Sequence, residues 1–295
     1  MDTIQIITQF AEEKECLISI ADPLPIIGVR DRLEQTETPF VSKSIERRLS
    51  PALHLPQVKS VIVLGAPYAP ACEEIRPILA SAGDPYTGLI SSMAIGRDYH
   101  KTVRALLNEL AGRINPGKYR ILTDSSGLVE REWAVKAGLG FWGKNCCVIS
   151  PSKGSFFYLG LLLTDLPISV KTNTVPSACG TCARCVNACP GKALAPYHVD
   201  YTKCVSYITQ KDGVLSAVDE MRMGRHVYGC DICQRVCPYN VGVAGEYPAV
   251  NLNCLADMTE AGFERMCGNT VMGWKGLVIL KRNARAVFKT VYNRR

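Results

Sequence analysis

No run of apolar residues in this 295-residue chain is long enough to cross a bilayer. The longest, Phe156 to Leu163, falls far short of the roughly 20 residues a spanning helix needs, so a soluble protein without a membrane partner is expected. No secretory leader is expected either, because Met1-Asp-Thr-Ile-Gln has no basic stretch followed by an apolar core. A cytoplasmic protein with reduced thiols is therefore expected, and its fourteen cysteines are not expected to pair as disulfides. Low-complexity tracts are absent, and no internal repeat is found beyond two cysteine runs. Acidic residues are absent from Lys275 to Arg295, where seven Lys or Arg stand. That number equals the formal net charge of +7 for the whole chain, which points to an anionic partner at the C-terminal end.

What is present is ample core material and an ordered set of thiols. A hydrophobic content of 47% supports a buried core, and the length suggests about two domains. The first cysteine run is Cys179-Gly-Thr-Cys182-Ala-Arg-Cys185-Val-Asn-Ala-Cys189-Pro190; the second is Cys230-Asp-Ile-Cys233-Gln-Arg-Val-Cys237-Pro238. Three cysteines spaced by two residues close around one face of an iron–sulfur cube, and a fourth, followed by proline, reaches across to a second cube. Two [4Fe-4S] clusters are implied. The second run has Val227 where its first cysteine belongs, and Cys204, between the runs, is the candidate substitute. One cluster then takes Cys179, Cys182, Cys185 and Cys237, the other Cys189, Cys204, Cys230 and Cys233. Zinc ordinarily uses two separated pairs without this crossover. The other six cysteines, at 16, 72, 146, 147, 254 and 267, are expected to be small buried hydrophobes.

Around this array the pattern reads as α/β. Ile7, Phe10 and Ala11 mark one face of a helix over Thr3 to Glu15, and Cys16 to Ala21 reads as a short strand. Val58 to Ala66 reads as a buried strand, and Arg97-Asp98-Tyr99-His100 begins a helix with the stripe Tyr99, Val103, Leu106, Leu107 and Leu110, which leaves His100 at its side. Tyr119 to Asp124 is a strand ending in an acid, at the end where parallel α/β sheets place ligands. Ser125-Ser126-Gly127 reads as a turn, Leu128 to Ala137 as a helix and Gly138 to Asn145 as a glycine-rich loop suited to close approach by a ligand. Cys146 to Ile149 and Phe156 to Leu163 are expected to pair as a hairpin through Ser150 to Gly154. A domain boundary is expected near Pro167 to Pro176, giving domains 1–166, 167–248 and a basic helical segment 249–295. In that last segment Leu277, Leu280, Ala284, Val287 and Val291 form an apolar stripe. Lys281, Arg282, Arg285 and Lys289 lie elsewhere on the helix surface, either as a solvated face or as a contact for nucleic acid.

Arg97-Asp-Tyr-His100, Thr123-Asp124, Val129-Glu-Arg131 with Trp133-Ala, Ala137-Gly-Leu-Gly140, Gly143-Lys-Asn145 and Tyr228-Gly-Cys230-Asp-x-Cys233-Gln, in this order with the cysteine runs, resemble the epoxyqueuosine reductase family. Gly273-Trp274-Lys-Gly276 and Lys281-Arg-Asn283 are weaker echoes. The resemblance implies a cobalamin-binding α/β domain, an α+β ferredoxin-like domain with two [4Fe-4S] clusters and a short α-helical tail. It implies reduction of epoxyqueuosine to queuosine at the wobble position of tRNA, bound through its anticodon stem-loop by a monomer, with electrons from a low-potential donor such as flavodoxin or ferredoxin. By the same likeness Asp124 is the proton donor. Arg48, Asp124, Val148, Leu159, Ser206, Asp231, Tyr99, His100, Lys144 and Asn145 are the cobalamin neighbours. Longer members carry a helical-repeat extension of which this chain has room for only the first helices.

The chemistry is consistent with the residues. Opening an epoxide reductively needs two electrons and protons; paired clusters deliver electrons singly at low potential, a corrin cobalt supplies the reductant, and a carboxyl group delivers the proton. Asp-x-His-x-x-Gly, the lower-ligand motif of other cobalamin proteins, is broken here by Val103, so cobalt without a protein imidazole is expected. Two alternatives stay open: a cobalamin reductase of another substrate, as in reductive dehalogenases, and an electron-carrying ferredoxin module without cobalamin.

Overall fold

The computed structural model describes residues 2–34, 44–124, 127–169, 174–243 and 245–293. The expected turn at Ser125-Ser126, residues 170–173 of the expected boundary, and the tail cations Arg294 and Arg295 lie outside the described residues. The chain divides into two compact units, Met1–Pro67 with His100–Thr181 and Tyr68–Tyr99 with Cys182–Arg295. This differs from three consecutive domains, and backbone pairing is the reason. The strand Thr87–Ile90 lies between His226–Tyr228, parallel to it, and Ala249–Asn251, antiparallel. An early segment is thereby stitched to both the cysteine region and the tail.

The first unit is built on a four-stranded sheet in the order Leu17–Ala21, Ser60–Pro67, Phe157–Thr164, Tyr119–Leu122, antiparallel throughout. Val61, Ile62, Val63 and Leu64 are wholly buried, as expected of a central strand covered on both faces. The opening helix, Thr3–Glu13, starts at a capping box made by Asp2 and Gln5. The expected hairpin does not form. Ser150 and Gly154 do exchange backbone hydrogen bonds, but Val148–Ile149 pairs with Phe141–Trp142. Phe157–Thr164 instead takes the sheet centre between two other strands, where its apolar side chains are buried.

In the second unit, the sheet packs into a core containing Ile90, Val227, Leu252, Phe263 and Leu280. The helix Gly276–Val291 buries Leu277, Leu280, Ala284 and Val287 as its stripe requires, and also Ile279, Asn283 and Ala286. Asn283 donates from Nδ2 to the carbonyls of Thr209 and Val227, both at 2.7 Å. Arg282 donates to the carbonyls of Lys211 and Gly213, also at 2.7 Å. Lys275 pairs with Asp212 at 3.0 Å and Lys289 with Glu220 at 2.6 Å. Arg282 and Lys289, expected on the helix surface, and Lys275 just before the helix therefore hold the tail to its own unit.

Among the described residues, no helix is long and apolar enough to cross a membrane. Cys16, Cys146 and Cys267 are buried, and Cys72 and Cys147 partly so, whereas Cys254 is exposed. The helix Leu252–Asp257 turns Leu252 and Leu255 inward and leaves position 254 outside. Because Asn283 serves two buried carbonyls, Asn283→Asp, which sets an acceptor against acceptors, is expected to destabilise the protein by about 3 kcal/mol. Thermal or denaturant unfolding measures this.

Candidate functional site

The second unit carries seven of the eight array cysteines, and Cys179 lies just before it in the chain. Cys185 sits on the helix Arg184–Ala188, and Cys189 ends that helix with its thiol accepting from the Ala193 amide at 3.3 Å. Pro190 prevents the helix from continuing. Gly191 follows; a Cβ there would overlap the carbonyl oxygen of Lys203, so only glycine lets this turn close on the backbone leading into Cys204. Cys204 caps the helix Val205–Ile208. Cys233 lies on Ile232–Arg235, a helix that packs against Arg184–Ala188, and Cys237 precedes the turn Pro238–Asn240.

The electrostatics tie three of these thiols together. Burial raises the pKa of Cys204, and the nearby Cys189 adds to the effect. Cys230 is pushed up to about 12, by burial first and by Cys204 among the smaller causes. Cys204 thus lies within electrostatic reach of both Cys189 and Cys230, as a ligand of one centre with them must. Thiols in such surroundings ionise only when positive charge is brought to them, which is what iron supplies. Among the described residues, no three His, Cys, Asp or Glu converge as for one metal ion; a cube instead distributes its thiolates over separate irons. The donor set fits clusters.

In the first unit Asp124 follows the Tyr119–Leu122 strand with φ of 49°, a left-handed conformation that aspartate tolerates better than most residues. Thr123 anchors it by donating to the carbonyl of Leu159 at 3.2 Å. His100 Nε2 lies 3.2 Å from Asp124 Oδ2, with side-chain exposures of 34% and 61%. The sheet is antiparallel, so the ligand rule for parallel sheets does not locate Asp124; its turn and its imidazole partner do.

The other expected contacts are unequally available. Arg48 is buried on the helix Ile45–Leu49, and its carbonyl accepts from Val129 N at 3.2 Å. Burial, then the neighbouring Arg131, lowers its pKa. Arg131 donates to the Cys146 carbonyl at 2.7 Å and stacks over Trp142, and Lys144 donates to Gly180 O at 2.5 Å. Asn145 is buried and accepts from Cys147 N at 3.2 Å. Val148 is buried in the core, Leu159 half-buried. Gly140 is required by its own chain, because a Cβ would overlap Ile149 O; the glycine-rich loop closes on its neighbouring strand. Tyr99, Ser206 and Asp231 belong to the second unit. Tyr99 packs on that unit's core and the Ser206 carbonyl accepts from Thr209 and Gln210. The Asp231 carboxylate is taken up by Ser91 and Ser92. Those two serines, with Tyr247 and His226, went unread in the sequence because the contacts span up to 140 positions.

These features define an iron–sulfur redox protein, with a double-cluster region following a mixed α/β unit. Residues 178–240 match the 4Fe-4S double cluster binding domain, and residues 48–125 match the family described as epoxyqueuosine reductase QueG, DUF1730. An epoxyqueuosine reductase of Lactococcus garvieae is 35% identical over 83% of this chain and 72% of its own. The structure of epoxyqueuosine reductase from Streptococcus thermophilus is 30% identical, with a TM-score of 0.90 over 100% of this chain and 83% of that one. A crystal structure of epoxyqueuosine reductase with a tRNA-TYR epoxyqueuosine-modified tRNA stem loop is 25% identical, with a TM-score of 0.86 over 98% and 82% of the two chains. The chain belongs to the epoxyqueuosine reductase family. Other bacterial relatives are matched over 57% and 55% of their length.

Cys204→Ala is expected to lower iron and sulfide in the reconstituted protein by about half, one cube of two, whereas Cys254→Ser leaves both unchanged. Iron and sulfide analysis after anaerobic reconstitution checks the pair.

Proposed function

We propose that this protein reduces epoxyqueuosine in tRNA to queuosine, using two [4Fe-4S] clusters and cobalamin, with Asp124 as the proton donor. Family membership, together with the array of half-buried and buried thiols, carries the reading and favours the tRNA epoxide over a dehalogenase substrate. One cluster is assigned to Cys179, Cys182, Cys185 and Cys237, the other to Cys189, Cys204, Cys230 and Cys233. Removing an epoxide oxygen as water takes two electrons and two protons. Clusters pass electrons singly, and a low-potential carrier such as flavodoxin or ferredoxin is the proposed source.

Cobalamin is compatible with the first unit on one observation: the Asp124–His100 pair is partly exposed just past the strand Tyr119–Leu122, of which only Leu122 is buried, so the pair is open to a large ligand. Arg48, Leu159 and the main chain of Val148 are the neighbours proposed to hold it, with Tyr99, Lys144, Asn145, Ser206 and Asp231 carried by the resemblance. When bound, the corrin supplies a strongly reducing metal. The protein's own residues orient and protonate. His100 Nε2 lies 3.2 Å from Asp124 Oδ2, so a proton can pass between imidazole and carboxyl, and the left-handed turn at Asp124 fixes the direction of its side chain.

The deciding experiment is anaerobic incubation of cluster-loaded protein with cobalamin, a low-potential reductant and epoxyqueuosine-containing tRNA, followed by nucleoside mass analysis. Queuosine is expected, and its absence from fully loaded protein sinks the proposal. Asp124→Asn is expected to slow conversion by about 10²–10³-fold without changing iron content, which single-turnover assays measure. For tRNA contact the relevant tail cations are the half-buried Lys281 and the exposed Arg285. Because their helix lies in the core, charge substitution is the suitable probe. Replacing both with Ala is expected to reduce the salt slope of tRNA binding by about 1–2, as filter-binding titrations report.

A further inference from the structure

We propose that the buried carboxylate of Asp231 holds down the reduction potential of the cluster assigned to Cys230 and Cys233, and that Arg235 acts on the same cluster in the opposite direction. The inference rests on the ligand assignment above, since Asp231 stands between two of those ligands in the chain.

Asp231 is 1% exposed. Its carboxylate accepts from Ser91 Oγ and from the Ser92 amide, each at 2.5 Å. Both donors are neutral, so they stabilise the anion without cancelling its charge. The guanidinium of Arg235 meets the other end of Ser92: it donates to Ser92 Oγ at 2.8 Å and lies over the Tyr247 ring at 4.1 Å. It also donates to the carbonyls of Gly245 and Glu246, both at 3.1 Å.

The backbone on either side is equally fixed. His226 Nδ1 faces the Met223 carbonyl at 2.9 Å and must donate to it, so in the neutral ring Nε2 accepts from Tyr247 Oη at 3.0 Å. Tyr247 Oη in turn accepts the Asp231 amide at 2.8 Å. A carboxylate held so rigidly beside a cluster, away from water, meets an incoming electron with a repulsion that solvent does not screen. Net charge and solvent exposure are among the factors that set such potentials, and a lower potential makes the cluster a stronger reductant. The proposed epoxide chemistry requires that.

Asparagine matches the carboxylate in shape; its amide oxygen can face the Ser92 amide while Ser91 Oγ accepts from its NH₂. The test is a reductive titration of the reconstituted full chain followed by electron paramagnetic resonance, which reports each cluster separately. In Asp231→Asn, one cluster is expected to show an about tenfold higher reduced-to-oxidised ratio at its unsubstituted midpoint, equal to ~59 mV for one electron, with the other unmoved. Arg235→Gln is expected to lower the ratio of that same cluster. Unchanged midpoints in a fully loaded Asp231→Asn protein overturn the inference, as does a rise in Arg235→Gln. Should Asp231→Asn fail to load, Arg235→Gln alone decides. Cys233→Ala separates the two readings: loss of one signal upholds the ligand assignment whatever Asp231 does, whereas retention of both overturns the assignment and the inference with it.

Discussion

Buried thiols that can ionise only against a positive partner are the constraint around which the second unit is arranged. Burial first, then the neighbouring Cys189 and Cys204 respectively, raises the cost of ionising Cys204 and Cys230, and iron is the charge that relieves it. The backbone is shaped to accept that cost. Pro190 ends a helix at the thiol, and Gly191 lets the following turn meet the Lys203 carbonyl. Assembly of the cluster and completion of this region's fold are therefore coupled.

The C-terminal helix shows how composition can mislead about function. A basic tail without acids invites an anionic partner, and two of its cations do lie toward solvent. Arg282, Lys275 and Lys289 instead meet carbonyl oxygens or acids of their own unit, and Asn283 closes the junction from a fully buried position. The echo Lys281-Arg-Asn283 is thus, in two of its three residues, a packing device. Asp231 gives the same lesson, its side chain turned inward to two serines.

Much of the architecture was legible because it rests on local periodicity. The helix Tyr99–Ile114 buries Val103, Leu107 and Leu110, and the Ser60–Pro67 strand shows the unbroken apolar run of a sheet centre. Pairing was less legible. The strand that reads as a hairpin partner joins strands far away in sequence, and residues 68–99 belong with the cysteine region although a boundary was expected near 167–176. The acid–imidazole pair was half visible: Asp124 stood out as a strand-end acid, while His100 read as a side position on its helix and, by resemblance, a cobalamin neighbour, but not as the partner of Asp124.

What the sequence determined alone was the inventory of donors and their spacing. Cys-x-x-Cys geometry, proline stops and helical stripes are short-range properties, carried by a few bonds of chain. Tertiary structure alone decided which donors are engaged elsewhere and which acids are buried, such as the Asp231 carboxylate held by Ser91 and Ser92. Those outcomes depend on contacts across a hundred residues or more, and on burial, which no local pattern encodes.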